Sequence, residues 1–189
     1  MQSFALLAAF WVAVLHYRGE HPVRFVAALV AAAVFAHAGW GLLHWPALRA
    51  APGVWLDPSM GYCVLFAPLG FALLIPEAAA FRALPLALAA ARSGCLAAGC
   101  CHGPNGEPTP LFEIAAWLGL HTLLLGAARA WVAPLFCTSF GAVRIALAPW
   151  RADPPLGEPW LDARWLAAAW VGIGVAFALS AAARRRQDS

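Results

Sequence analysis

Long apolar runs separated by short polar segments set the pattern of this chain. The runs cover residues 2–17, 25–45, 60–75, 78–91, 111–133, 135–150 and 165–183. A helix needs about 20 mostly apolar residues to cross a bilayer, and it satisfies its own backbone hydrogen bonds in lipid. The pattern predicts an all-α integral membrane protein, a bundle of about seven transmembrane helices. Five or six spans are the alternative, because Pro85 interrupts the fourth run and Pro149 ends the sixth.

The composition agrees with a membrane location. Of the 189 residues, 63% are hydrophobic and 11% are charged, and the mean hydropathy is +0.73. A soluble domain carries about 25% charged residues, so this chain has too much apolar surface for one soluble core. The net charge of +3 is small and scattered, which excludes an electrostatic nucleic-acid partner. We expect residues 1–189 to form one transmembrane domain that needs no cofactor and no metal.

The arginines predict the orientation of the bundle. The run Arg184, Arg185 and Arg186 favours a cytoplasmic C-terminus, because basic residues collect on the cytoplasmic side. With seven spans, the same side holds Arg18, Arg24, Arg82 and Arg129. Residues 92–113 and the segment 151–164 then face outward.

Ionisable residues within or beside the apolar runs are candidates for function. They are Arg92, Glu113, Arg144 and His37, and a charge at membrane depth costs at least about 2.5–3.5 kcal/mol. Arg144 and Arg151 lie seven residues apart, so a helix places them on one face about 10 Å apart. With Arg92 they form a predicted electropositive pocket for a lipid phosphate, which guanidinium groups bind in a bidentate way. The alternative is that Arg144 pairs with Glu113 and only ties two helices together.

The segment "RSGCLAAGCCHGPNGEPTPLFE" collects reactive groups in an otherwise apolar chain. Its reactive side chains include Cys95, Cys100, Cys101 and His102. The C-x4-C-C-H spacing fits a zinc site poorly. A disulfide from Cys95 to Cys100 or Cys101, a nucleophilic thiol, and simple packing in a tight loop are the alternatives. Glycines at 94, 99 and 103 permit positive φ and close backbone approach, so the loop is also expected to cradle a phosphate through N–H groups.

Two blocks of this sequence resemble the prolipoprotein diacylglyceryl transferase family. Its short bacterial members read G-R-x-G-C-x-x-x-G-C-C-x-G-x-P-T followed by H-P-x-Q-x-Y-E, and "ARSGCLAAGCCHGPNGEPTPLFE" is similar to both parts. A later family helix reads Y-G-x-x-R-x-x-x-E-x-x-R, and "FGAVRIALAPWR" resembles it with Arg144 and Arg151. The resemblance covers roughly residues 36–153.

The resemblance implies a seven-helix bundle in the bacterial inner membrane with a lipid pocket open to the outer leaflet. The implied reaction moves diacylglyceryl from phosphatidylglycerol to the cysteine thiol of a lipobox-bearing protein. Arg92 and Arg144 would hold the donor phosphate, and Glu113 and Arg151 would shape the pocket.

The chain departs from the family at several positions. The family's H-G-G-L turn corresponds to "GYCVL", residues 61–65, and His37 stands where the family has an early arginine. Ala148 replaces the glutamate of the second block. His37 and His102 are therefore the candidates for the lost base. The predicted catalytic residues are Arg92, Arg144, His37 and His102, and the predicted substrate-binding residues are Glu113, Arg151, Gly94, Gly99, Gly103 and Tyr62.

Two further functions stay open at this point. The first is a lipid-binding membrane protein that has lost the chemistry, which the missing histidine turn favours. The second is a thiol-based metal or redox membrane protein that uses Cys95, Cys100 and Cys101. The thiol-based function predicts that Cys100→Ser abolishes function while Arg144→Ala is tolerated, and the transferase predicts the reverse.

Overall fold

The computed structural model describes residues 2–50, 53, 63–75, 77–99, 101–151 and 163–187. Its α-helices are α1 Gln2–His16, α2 Pro22–Leu43, α3 Trp45–Ala50, α4 Ala67–Leu74, α5 Ala78–Ala97, α6 Thr109–Gly126, α7 Arg129–Leu147 and α8 Ala163–Gln187. Short 3-10 turns at Val64–Phe66 and Ala148–Trp150 precede α4 and follow α7. Every regular element in these ranges is helical, so the predicted all-α class is confirmed.

Four helical stretches in the described ranges are long and apolar enough to cross a membrane. They are Pro22–Leu43, Thr109–Gly126, Arg129–Trp150 and Arg164–Arg185. Large apolar side chains on their outer faces are exposed, among them Val34, Leu118, Leu123 and Leu179. Such surfaces suit lipid better than water, so these four candidate spans support the predicted membrane protein, whereas the predicted number of seven spans stays a prediction.

Antiparallel neighbours place the helix ends in two groups. α5 packs on α6, α7 packs on α8, α1 packs on α5, and α2 packs on α4. Small residues let α7 and α8 approach closely, since a Cβ at Gly174 would lie 2.6 Å from the backbone nitrogen of Thr138. At one end α5 finishes, α6 begins and α7 finishes, and we call this the upper end. At the lower end the Tyr17 hydroxyl donates to Glu77 (2.9 Å), and the Arg185 guanidinium lies over the Trp131 ring.

The structure corrects the predicted boundary between the fifth and sixth apolar runs. That break was expected near residue 134, but α6 ends at Gly126 and α7 starts at Arg129. Pro134 and Pro85 both lie inside helices, so Pro85 does not interrupt its run as predicted. Membrane helices tolerate proline because neighbouring groups satisfy the freed carbonyls. The imidazole Nδ1 of His121 donates to the Arg82 carbonyl (2.9 Å) in the turn before Pro85, which joins α6 to this part of α5.

The third apolar run is also different from its prediction. Its described part is a 3-10 turn followed by the eight-residue helix α4, and residues 60–62 lie outside the described ranges. Eight helical residues span about 12 Å, less than half of the hydrocarbon core. α4 therefore does not cross a membrane as a helix of its own.

Candidate functional site

Four of the predicted site residues meet at the upper end of the bundle. Arg92 lies near the end of α5, Glu113 in the first turns of α6, and Arg144 near the end of α7. Arg151 follows the 3-10 turn after α7. The up–down–up path of these helices brings side chains that are 59 positions apart in sequence, from residue 92 to residue 151, to the same level. We call Arg92, Glu113, Arg144 and Arg151 the Glu113 cluster.

Each arginine of the cluster contacts the same carboxylate. The Arg144 Nη1 and Arg151 Nη1 atoms donate to Glu113 Oε1 at 2.8 and 2.6 Å. The Arg92 Nε atom forms an ion pair with Glu113 Oε2. The structure thus supports the predicted pairing of Arg144 with Glu113, and it adds two more arginines to the same group.

The cluster is buried and unequally charged. The side chain of Glu113 is 1% exposed, and those of Arg144, Arg151 and Arg92 are 8%, 10% and 16% exposed. Within these four residues, three guanidinium groups share one carboxylate. A carboxylate offers two oxygens, whereas three guanidinium groups together carry fifteen N–H donors, five on each. One carboxylate cannot accept from all of these donors, so the cluster presents guanidinium N–H groups to more than one acceptor, and an anion such as phosphate suits that donor set.

Aromatic side chains form the floor beneath the cluster. Trp117 lies one turn after Glu113 on α6, and Phe140 lies one turn before Arg144 on α7. Their rings stack at 5.6 Å, and Phe140 meets Trp170 of α8 edge-on at 5.8 Å. Trp117 and Phe140 are buried. This apolar layer keeps water from the lower side of the ion pairs, which strengthens their electrostatic interaction.

The connection from α5 to α6 is fastened to the end of α7. The Thr109 hydroxyl donates to the Trp150 carbonyl at 2.5 Å, directly before Arg151 in the chain. At Gly103 an added Cβ would lie 2.7 Å from the same carbonyl oxygen, so only glycine fits there. The Glu107 carboxylate accepts from the backbone and side chain of Asn105, both at 2.9 Å, and these bonds lower its pKa.

The glycines of this connection shape it and do not point their N–H groups at a ligand. Gly99 has a φ of 62°, as predicted for a left-handed turn, but its N–H donates to the Leu96 carbonyl. The Gly103 N–H donates to the Glu107 carbonyl at 2.8 Å. The expected phosphate cradle of these N–H groups is therefore not formed. Gly94 lies within α5, where its carbonyl accepts from the Ala98 N–H.

The remaining predicted residues are spread more widely. His102 is exposed in the α5–α6 connection. His37 lies half-buried on α2, its ring 6.5 Å from that of Trp40, on a helix other than the three that carry the cluster. Tyr62 lies outside the described residues. The structure thus gives four of the ten candidates one common site, and the two histidines are not among them.

The cysteines of the motif occupy different environments. Cys95 lies in the last turn of α5, with its Sγ 3.8 Å from Arg92 Nη1. Cys101 is exposed and has a φ of 61°. Cys100 lies outside the described residues, so the proposed disulfide and the thiol-based functions stay predictions.

Sequence reasoning missed the structural role of Thr109 and Glu107. Both were visible inside the motif, and Thr109 is fully buried although it is polar. A buried hydroxyl needs a hydrogen-bond partner, and that partner comes from a carbonyl 41 residues away. No spacing in the sequence indicates such a long-range bond.

Comparisons with known proteins do not assign this chain to a family. Neither a protein-family model nor a curated protein matches it. The resemblance to the diacylglyceryl transferases therefore rests on the two sequence blocks alone, and the function has to be inferred from the site.

Proposed function

We propose that the Glu113 cluster binds the phosphate of a membrane phospholipid, and that the protein transfers the diacylglyceryl group of that lipid to a thiol. One observation carries the proposal: three buried or nearly buried arginines converge on a single buried carboxylate. Glu113 holds the guanidinium groups together against their mutual repulsion, and the phosphate binds where these guanidinium groups are concentrated. Arginine suits this task because its planar donors match phosphate oxygens.

The path of the chain supports a seven-pass bundle with the cluster facing outward. α2 ends at the upper end and α5 begins at the lower end, so the chain returns to the lower end between them, and α4, packed antiparallel on α2, belongs to that return. This return brings the number of passes to seven. The lower end carries Arg18, Arg24, Arg82, Arg129, Arg184 and Arg185. By the positive-inside tendency, that end is cytoplasmic and the cluster lies at the outer leaflet.

In the proposed reaction, a thiolate sulfur attacks the carbon of the diacylglyceryl group that is bonded to the phosphate oxygen. A C–S bond forms, the C–O bond to phosphate breaks, and glycerol phosphate leaves with the electron pair. The arginines offset the negative charge that develops on the leaving group. The thiol must lose its proton to become nucleophilic. The proton passes to solvent at the outer face.

A lipobox peptide provides the direct test. Purified full-length protein in micelles containing phosphatidylglycerol is incubated with the peptide, and the peptide is weighed by mass spectrometry. We expect a diacylglyceryl mass increment on its cysteine that Arg144→Ala abolishes. Arg184→Ala removes the same charge at the lower end and is expected to leave the increment intact. An increment that survives Arg144→Ala would contradict the proposed role of the cluster.

The second candidate is a lipid-binding protein that has lost the chemistry. It is favoured by the sequence "GYCVL" at the position of the family's histidine turn. In that case no mass increment forms, but phosphatidylglycerol co-purifies with the protein and is lost in Arg144→Ala. The thiol-based function predicts neither result, since it depends on Cys100 and tolerates the loss of Arg144.

A further inference from the structure

A second charged cleft opens at the lower end of the bundle, away from the Glu113 cluster. It has a volume of about 800 Å³. Its charged and titratable lining residues are His16, Arg18, Glu20, Glu77, Arg82, His121 and Arg129. We call it the lower cleft. The proposed function makes no use of it.

The two sites lie on opposite sides of the bundle. α6 carries Glu113 in its first turns and His121 in its lower half, and its 18 residues span about 27 Å. That length is close to the thickness of the hydrocarbon core. A ligand in the lower cleft would therefore meet the other membrane face and would not compete with one at the cluster.

Backbone bonds fix two arginines of the lower cleft in place. Arg82 donates from Nε to the Leu124 carbonyl at 3.0 Å and from Nη2 to the Ala127 carbonyl at 2.7 Å. Arg18 donates from Nη1 to the Leu15 carbonyl at 2.6 Å. These bonds cap the C-terminal ends of α6 and α1, and they leave three of the five N–H donors of Arg82 for another acceptor.

Glu77, one of the two acidic residues that line the cleft, is engaged by groups other than the arginines. The Glu77 carboxylate accepts a hydrogen bond from the Tyr17 hydroxyl at 2.9 Å, and the His21 Nε2 atom lies 3.6 Å from it. Both partners belong to the end of α1 and the connection to α2. Glu77 thus fastens that connection to the start of α5.

Arg129 is the third arginine that lines the cleft. It is exposed and it begins α7, whose first turn contains no acidic residue. The unsatisfied N–H groups of a helix start carry positive potential, which adds to that of Arg129. Three arginines, the carboxylates Glu20 and Glu77, and a helix start therefore surround one cavity, and the arginines outnumber the carboxylates.

We propose that the lower cleft binds a phosphate-bearing anion, with Arg82 and Arg129 as its principal ligands. The anion is either free phosphate or the headgroup of an acidic lipid in the adjacent leaflet, since both present the same oxygens to the guanidinium groups. This assignment is independent of the proposed transferase.

The test compares Arg129→Gln with Arg184→Gln in the full-length protein. Both positions are exposed at the lower end, and Arg184 does not line the cleft. The proteins are placed in nanodiscs of phosphatidylcholine and titrated with inorganic phosphate by calorimetry. In parallel, the lipids retained from nanodiscs that contain phosphatidylglycerol are counted by native mass spectrometry. Arg129→Gln is chosen over a change at Arg82, because loss of the Arg82 caps would itself disturb α6.

Two results support the proposal and distinguish the sources of the anion. Phosphate affinity that falls about tenfold in Arg129→Gln, the loss expected for one charge-assisted hydrogen bond, identifies free phosphate. If the wild type binds no free phosphate, but Arg129→Gln retains one phosphatidylglycerol fewer than the wild type, the anion is a lipid headgroup. In either case Arg184→Gln behaves as wild type, and the result persists in an Arg144→Ala background. Equal behaviour of Arg129→Gln and Arg184→Gln in both measurements overturns the proposal.

Discussion

The two ends of this bundle use arginine in different ways. At the upper end, three arginines share one carboxylate in a buried setting, with Glu113 only 1% exposed. At the lower end, Arg82 and Arg18 donate to backbone carbonyls. Glu77 is 31% exposed there and accepts from a neutral hydroxyl. The same side chain thus concentrates charge at one end and caps helices at the other.

This difference indicates that electrostatic interactions are stronger at the upper end than at the lower end. An arginine that caps a helix end donates to backbone carbonyls and buries no charge pair. The desolvation cost of this arrangement is small, and the arrangement tolerates water. A buried cluster of like charges is costly unless every member is compensated. Because the upper end carries that cost, its arginines are the better candidates for chemistry, and the lower cleft for reversible binding.

The largest expected effect comes from neutralising the carboxylate at each end. Glu113→Gln leaves three buried cations without their shared anion, and we expect the free energy of unfolding to fall by about 3–5 kcal/mol. Glu77→Gln at the more exposed lower end should lower it by about 1 kcal/mol, the value of one hydrogen bond. Unfolding in mixed micelles, followed by helical circular dichroism, measures both. Equal losses at the two ends would remove the distinction between them.

A glycine at each end gives the next largest contrast. Gly103→Ala would push a Cβ against the Trp150 carbonyl oxygen, and we expect a loss of about 1–3 kcal/mol in stability from overpacking. Gly126 lies at the lower end with open space around its Cβ position, so Gly126→Ala should gain up to about 1 kcal/mol. The midpoint of thermal unfolding in one detergent compares them. A stabilised Gly103→Ala variant would show that the α5–α6 connection is not held against α7.

The cluster was largely predictable from sequence, and the reason is topological. Arg92, Glu113 and Arg144 are charges within or beside apolar helices, and antiparallel helices return such charges to one level. These charges are then expected to form ion pairs with one another, because an isolated charge at membrane depth is costly. The number of arginines on Glu113 was not predictable, since it depends on side-chain packing that spacing does not express.

Helix boundaries inside apolar sequence were harder to predict. The turn between α6 and α7 consists of Ala127 and Ala128 in extended conformations, and hydropathy does not distinguish them from helical alanine. Pro134 looked like the break because proline removes a backbone donor. In this bundle the helix continues through it, because neighbouring helices supply the packing. The prediction of one long helix in the third apolar run, residues 60–75, was wrong for a related reason. Apolar composition carries no information on how long a helix stays regular.

The smallest expected effect is a dependence of stability on acid pH at the upper end. Hydrogen bonds from Asn105 lower the pKa of Glu107 below its ordinary value of 4.5, so the folded protein holds this carboxylate ionised more strongly than the unfolded chain does. The contribution is therefore complete above pH 4.5 and is lost as the pH falls from there through the lowered folded pKa. Asn105→Ala removes the largest cause of the shift, so its unfolding midpoint should fall less steeply than that of the wild type between pH 5 and about pH 3. Parallel curves for the two proteins would show that the connection beside the cluster gains nothing from the charge of Glu107, and that its attachment to α7 rests on Thr109 and Gly103 alone.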